Sequence, residues 1–309
     1  MQKYMQQHGT SYYVGNRFFP QEVREDVFAL YAFVRIPDDV VDDPSADPVT
    51  ARAELDEMWS IFEGVYATSA SWGDRLPNPL PLRGSSPLTG GNRSERQEVS
   101  SAAAEVFHRY DIPLEWVKNF FSAMYADLDH KVYRTYVDLQ WYMYGSAEVI
   151  GLMMCKIIWY DEAQEAEVFR TAKLLWEAMQ YTNFLRDISE DLLEYDRLYI
   201  PEDRLMMHDL NHILLSQYVT GKPVDKQWKM FVWQQVLECK ELYREANKWI
   251  SLLDPRWRRA VRVASWMYES ILDKIVRHDY DIFTRSARTT KREKMRTLFT
   301  KSFRYVFFD

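Results

Sequence analysis

The chain has 309 residues, 47% of them hydrophobic and 15% aromatic, and it carries a net charge of −7. The acidic balance argues against general nucleic-acid binding, and two cysteines, Cys155 and Cys239, indicate neither a disulfide framework nor a zinc site. The first residues, MQKYMQQHGTSYY, lack the apolar core of a signal peptide, and no segment approaches the ~20 uninterrupted apolar residues of a membrane span. We therefore expect a cytoplasmic protein that binds no nucleic acid.

The composition favours helices. Glycine and proline are sparse, at 10 and 12 residues, whereas Met, Trp, Tyr and Phe are abundant. Few helix breakers and many large side chains are typical of long helices rather than short strands. On composition alone, core packing explains the large side chains better than an apolar cavity does.

Helical periodicity begins at Pro20, after which apolar residues recur at helical spacing. Further helices are predicted at about residues 49–66, 95–109, 114–130, 136–158, 164–192, 225–251, 255–279 and 290–306. Residues 69–94 hold much of the chain's glycine and proline and predict an irregular surface loop. Because no segment has the pattern of alternating strands, the sequence predicts an all-α fold with a single domain over residues 1–309.

A first polar face lies in the segment YAFVRIPDDVVDD, residues 31–43. In a helix, Tyr31, Arg35, Asp38 and Asp42 share one side, because they are spaced at i, i+4, i+7 and i+11. The remaining positions are mainly apolar, so this polar stripe must face water, a cavity or ions. Pro37 lacks a backbone donor and is expected to kink the helix.

A second polar face lies in the segment QYTNFLRDISED, residues 180–191. Gln180, Asn183, Asp187 and Asp191 share one side of the predicted helix, at i, i+3, i+7 and i+11. Arg186 lies beside this acidic set, as Arg35 lies beside the other.

Two such faces together favour a site for a metal ion and a diphosphate. Carboxylates four residues apart repel each other, whereas Mg²⁺ binds oxygen ligands, typically one or two carboxylates together with substrate phosphates. The guanidinium groups of Arg35 and Arg186 suit diphosphate oxygens. Either face alone is equally well explained as a solvated acidic surface, but two faces in matching phase favour the metal site.

With these motifs the sequence resembles the squalene/phytoene synthase family of head-to-head prenyl synthases, most closely its bacterial phytoene synthases. The resemblance covers residues 8 to 285 and rests on the segments HGTSYYVGNRFFP (8–20), ALYAFVRIPDDVVDD (29–43), DLQWYMYGSAEVIGLMM (138–154), QYTNFLRDISEDLLEYDRLYIPED (180–203) and MYESILDKIVRHDYDIFTR (267–285).

The resemblance implies an isoprenoid-synthase helical bundle around a central apolar cavity. It implies Mg²⁺, with Mn²⁺ as an alternative ion, held by Asp38, Asp42, Asp187 and Asp191, with Asn183 joining the second pair. It implies catalytic roles at the diphosphate and the reacting carbons for Tyr31, Arg35, Asn183, Arg186 and Tyr268.

The resemblance also implies substrate-binding residues, namely Ser11, Tyr12, Tyr142, Ala147, Gly151 and Gln180. Ser11 and Tyr12 match the segment that closes over a diphosphate, and Tyr142, Ala147 and Gly151 match the helix that lines the prenyl tunnel. Small residues there would let a prenyl chain pass close to the backbone, although helix packing explains them equally well.

The implied reaction is the head-to-head condensation of two prenyl diphosphates through a cyclopropylcarbinyl diphosphate, and we expect two geranylgeranyl diphosphates to give phytoene. One alternative is a squalene or dehydrosqualene synthase that uses farnesyl diphosphate, with NADPH required only for squalene. A non-enzyme alternative is an inactive helical relative that acts as a lipid-binding or assembly factor. A head-to-tail prenyl synthase or terpene cyclase fits NFLRDISED followed by RLYIP poorly.

The segment from Arg285 to Arg304 is basic and contains interspersed apolar residues. We expect a helix there to rest on the body of the protein. The alternative is peripheral contact with an anionic membrane surface.

Overall fold

The computed structural model describes residues 21–43, 45–69, 92–129, 132–158, 160–248, 250–284, 287–288 and 290. Within these ranges the chain forms helices and no β-strand, so the predicted all-α fold is confirmed. The helices are α1 (Gln21–Val41), α2 (Pro48–Ser69), α3 (Arg93–Arg109), α4 (Leu114–Asp129), α5 (Tyr136–Met143), α6 (Val149–Ile157), α7 (Glu165–Glu194), α8 (Glu202–Met206), α9 (His212–Val219), α10 (Lys226–Lys248) and α11 (Pro255–Arg277).

The predicted helix 136–158 is divided into three parts. Thr135 begins α5 with a capping box, in which its side chain accepts from the Asp138 amide and Asp138 accepts from the Thr135 amide. A π-helical turn, Tyr144–Glu148, then joins α5 to α6. Such wide turns are rare and are frequently found at functional sites.

Other boundaries follow local signals. Helix α1 continues through Pro37 to Val41, so the expected kink does not end it. The sequence did not predict α8 and α9; α8 follows Pro201, and the Asn211 side chain caps α9 by accepting from the Leu214 amide at 2.9 Å. Apart from Thr290, the predicted helix 290–306 lies outside the described residues, as does most of the loop 69–94.

Two packed regions place the site-bearing helices. Phe33, Phe62 and Phe107 are fully buried where α1, α2 and α3 meet, with ring centroids 4.8 to 5.7 Å apart. Helix α7 packs against α6, α10 and α11. Between α7 and α10, the buried hydroxyls of Thr182 and Tyr243 lie 3.0 Å apart. The polar faces of α1 and α7 border a cavity between these two regions.

In the described part of the chain, no helix combines the length and the hydropathy that crossing a bilayer needs.

Candidate active site

The polar face of α1 is organised by one arginine. Arg35 contacts both neighbouring carboxylates, with Nη1 2.5 Å from Asp38 Oδ2 and Nη2 2.5 Å from Asp39 Oδ1. Its Nε is buried and has no hydrogen-bond partner among the described residues. Burial raises the pKa of Tyr31, one turn earlier, to about 12, so this phenol stays protonated at neutral pH.

The polar face of α7 has a corresponding ion pair. Arg186 donates from Nε to Asp187 Oδ1 at 2.7 Å and makes a second, shorter contact to the other oxygen. Tyr268, from α11, is partly buried, and the loss of solvent raises its pKa, whereas the charge of Arg186 and a hydrogen bond with Asn183 counteract this shift. The contact between Asn183 and Tyr268 therefore links the predicted residues of α7 to those of α11.

The polar faces of α1 and α7 both line one cavity of about 860 Å³. Every predicted site residue that the structure describes lines it: Tyr31, Arg35, Asp38, Asp42, Tyr142, Ala147, Gly151, Gln180, Asn183, Arg186, Asp187, Asp191 and Tyr268. Its volume is within the range of roughly 300–1,000 Å³ that is common for ligand pockets. Ser11 and Tyr12 lie outside the described residues.

The carboxylates of the two faces influence one another across this cavity. The side chain of Asp42 is 44% exposed towards the cavity, yet partial loss of solvent raises its pKa above the ordinary value, and the charges of Asp38 and Asp127 raise it further. Burial also raises the pKa of Asp191 to about 8, with added repulsion from Asp187 on its own helix and Asp42 on α1. The two acidic faces therefore repel each other across the cavity, at a cost that a bound cation would relieve.

The donor set at this end fits a shared magnesium site. Within the described ranges, no three carboxyl, imidazole or thiol groups converge closely enough to hold a metal ion alone. Mg²⁺ commonly takes one or two carboxylates and completes its shell with water and substrate phosphates. Asn183 Oδ1 is also buried without a hydrogen-bond donor among the described residues, so it is available as a further oxygen ligand.

Away from the carboxylates, the cavity walls become apolar. Helix α6 contributes Ile150 and Met154, and α11 contributes Ala260 and Ala264. A model of the squalene/phytoene synthase family matches residues 5–294 of the chain. The chain belongs to that family. The resemblance on which the site prediction rested is therefore confirmed.

Curated relatives in this family carry the name phytoene synthase. Phytoene synthase 2 of Oryza sativa subsp. japonica is 28% identical over 295 residues, which cover 94% of this chain and 66% of the rice protein. The phytoene synthase of Arthrospira platensis is 26% identical over 302 residues, covering 94% of this chain and 88% of that protein. The chain thus spans about two thirds of the length of the rice relative.

Solved structures share the fold. A dehydrosqualene synthase superposes with a TM-score of 0.76 at 22% identity, covering 99% of this chain and 95% of that one. Squalene synthase HpnC of Alicyclobacillus acidocaldarius gives a TM-score of 0.71 at 21% identity, covering 90% and 92%. These similarities place the cavity in an all-α squalene/phytoene synthase fold.

The sequence prediction missed a buried polar cluster beside the first acidic face. Arg197 Nη1 lies 3.4 Å from Asp42 Oδ1, and its Nη2 donates to the last carbonyl of α1 at 2.7 Å. The hydroxyls of Tyr142 and Tyr199 each donate to Asp127 at 2.8 Å. The block RLYIP, quoted for the family resemblance, contains two of these residues and was the available signal.

A second missed residue is Arg288. Its guanidinium contacts Glu190 and lies 3.9 Å from Asp187 Oδ1, and the residue lines the cavity. Lys274 on α11 holds this part of the chain by donating to the Arg288 carbonyl at 2.6 Å. Arg288 therefore places a cation beside the second acidic face, which its position far beyond both motifs did not reveal.

Gly151 lies in close contact with a neighbouring helix. A Cβ atom at this position would lie only 2.3 Å from Trp176 Cδ1, so the glycine allows the α7 indole to rest directly on the α6 backbone. Gly145 similarly meets the Asn119 carbonyl of α4, at 2.5 Å from an added Cβ. Both glycines are thus required for helix packing, and Gly151 also lines the cavity.

Proposed function

We propose that this protein condenses two geranylgeranyl diphosphates head to head, through a cyclopropylcarbinyl diphosphate, to give phytoene. Family membership and the names of the curated relatives support this reaction. The observation that carries the proposal is one cavity with two opposed acidic faces and two arginines at one end and apolar walls at the other.

The acidic end supplies ligands for Mg²⁺. Asp38 and Asp42 on α1 would hold it on one side, and Asp187, Asp191 and Asn183 on α7 on the other. When bound, the ion neutralises the charge that develops on a leaving diphosphate. The crowded carboxylates, with pKa values raised at Asp42 and to about 8 at Asp191, gain most from that charge.

Arg35 and Arg186 bind and orient the diphosphates. Each guanidinium presents several donors in a plane and is already directed towards a carboxylate at the cavity wall. Tyr31 and Tyr268 stay protonated because burial raises their pKa values, so they act as hydrogen-bond donors rather than bases. The released diphosphate is then the stronger base for the final proton loss.

The apolar walls protect the carbocations. Water in the cavity would trap such a cation as an alcohol, so the reaction requires a dry site. Aromatic rings offer negative ring faces to a cation. Phe184 and Tyr199 are stacked 4.5 Å apart, and Tyr142 lies 5.4 Å from the second ring. Together these rings form an aromatic wall next to the acidic end.

The test is to incubate the purified protein with Mg²⁺ and either geranylgeranyl or farnesyl diphosphate, with and without NADPH, and to identify the hydrocarbon by mass spectrometry. We expect a C40 product from geranylgeranyl diphosphate that needs no NADPH and disappears with EDTA. A C30 product alone would identify a dehydrosqualene synthase or, if it required NADPH, a squalene synthase. Recovery of only unreacted diphosphates from folded protein would favour an inactive relative.

A further inference from the structure

Helix α7 provides one wall of the cavity along most of its length. The residues that line it recur every three or four positions from Asp191 back to Val168. The polar ones end at Gln180, and the lining beyond it is apolar except for Thr171. The Thr171 hydroxyl bonds to the backbone carbonyls of Glu167 and Val168, both at 2.9 Å, so it offers the cavity no strong polar group.

The apolar part of this wall is about as long as an extended prenyl chain. Because Asn183 and Gln180 mark the polar border, the first carbon of a bound chain belongs between them. At 1.5 Å per helical residue, Val168 lies about 22 Å from Asn183 and about 18 Å from Gln180. An extended isoprene unit, with four carbon–carbon bonds of about 1.5 Å along the chain, spans roughly 5 Å, so three units need ~15 Å and four need ~20 Å.

Trp176 stands part-way along this wall. It lies about 6 to 10 Å below the polar border by the same helical rise, which is the depth of the second isoprene unit. Its indole is half-buried, lines the cavity and rests on Gly151, where an added Cβ would be 2.8 Å from both Cγ and Nε1. The contact with Gly151 holds the Trp176 indole against the α6 backbone, at the side of the cavity.

We propose that Trp176, seated on Gly151, is the specificity-determining residue that keeps the tunnel open to a chain of four isoprene units. The inference rests on the proposed function, since it concerns the prenyl chain of the same substrate. A side chain at residue 151 would push the indole into the tunnel at the depth of the second unit. A C20 chain has two further units below that depth, whereas a C15 chain has one, so the C20 chain loses more contact.

The decisive variant is Gly151→Ala, with two glycine controls. Gly64 is helical and an added Cβ meets nothing within 4 Å, so Gly64→Ala tests the substitution itself. Gly145→Ala meets the Asn119 carbonyl and Ala123 Cβ at 2.5 and 2.8 Å, so it tests a tight helix contact elsewhere in the bundle. The double variant Gly151→Ala with Trp176→Leu removes the ring that the new methyl group displaces.

The measurement is the ratio of kcat/KM for geranylgeranyl over farnesyl diphosphate, together with the ratio of Kd values for their unreactive thiolodiphosphate analogues. We expect Gly151→Ala to lower both preferences for the C20 chain roughly tenfold, which is typical for a hydrophobic pocket that loses part of its length. The double variant should restore them. Gly64→Ala should leave both ratios unchanged, and Gly145→Ala should lower the melting temperature without changing either ratio.

The inference is overturned if folded Gly151→Ala keeps the wild-type ratios, or if the double variant does not recover them. If Gly151→Ala alone does not fold, Val168→Phe at the far end of the wall provides the second test. Val168→Phe should weaken the binding of the C20 analogue more than that of the C15 analogue. Equal weakening of both would refute the inference that only the fourth isoprene unit reaches Val168. If the wild type makes no hydrocarbon, the proposed function fails, and the analogue Kd ratios still decide the role of Trp176.

Discussion

Asp127 is a buried carboxyl whose ionisation is expected to destabilise the folded protein. This carboxyl on α4 is 5% exposed and accepts hydrogen bonds from Tyr142 and Tyr199. Burial raises its pKa from 3.8 to about 6, although Arg197 and the two tyrosines oppose the change. Replacing it with asparagine keeps the shape and one acceptor oxygen but removes the ionisation.

The sign and size of the effect follow from the linkage between pKa and stability. Because the folded-state pKa is raised, this carboxyl's contribution is fully present below the unfolded pKa of 3.8 and is lost as pH rises through about 6. The complete loss corresponds to about 3 kcal/mol, at 1.36 kcal/mol per pKa unit, and about 2 kcal/mol of it falls between roughly pH 4.5 and pH 7. Because asparagine does not ionise, Asp127→Asn should not lose this part of its stability as the pH rises.

The assay is urea unfolding of wild type and Asp127→Asn at the two pH values, in EDTA so that no metal ion binds the neighbouring carboxylates. We subtract the free energy of unfolding of wild type from that of Asp127→Asn at each pH. This difference should be about 2 kcal/mol larger at pH ~7 than at pH ~4.5. Asp129→Asn, which removes an exposed carboxylate from the same helix, is the matched control. Parallel pH profiles for wild type and Asp127→Asn would show that the buried carboxyl carries no such penalty.

Three further predictions concern the acidic end. Asp187→Asn should abolish Mg²⁺-dependent turnover and leave the helical circular dichroism signal nearly unchanged; normal turnover would refute the metal assignment. Mg²⁺ should raise the melting temperature of wild type more than that of Asp187→Asn, because an ion that binds the folded state stabilises it, and EDTA should reverse the rise. Arg288→Ala should raise KM for the prenyl diphosphate several-fold, since it removes a cation from the cavity wall; an unchanged KM would mean that Arg288 serves only its contact with Glu190.

Helical periodicity in the sequence was sufficient to predict the two acidic faces. Residues on one side of a helix stay together whatever the helix packs against, so Asp38 groups with Asp42, and Asp187 with Asp191, on their spacing alone. The family resemblance then added Tyr142, Ala147, Gly151 and Tyr268. All the described members of this set line one cavity, whereas the roles assigned to them stay predictions.

Some assignments rest on residues that the structure does not describe. Ser11 and Tyr12, the loop at 69–94 for the most part, and nearly all of the basic segment 285–304 belong to this group. The single domain over residues 1–309 likewise stays a prediction.

The sequence by itself determined most of the long helices, their polar faces and the family, because each of these depends on neighbours within a few turns of the chain or on the order of motifs along it. Only the tertiary structure decided which distant groups meet. Arg197 reaches Asp42 across 155 positions, and Trp176 rests on Gly151 from another helix. Such contacts depend on how whole helices pack, and local periodicity carries no information about the partner that a side chain will find.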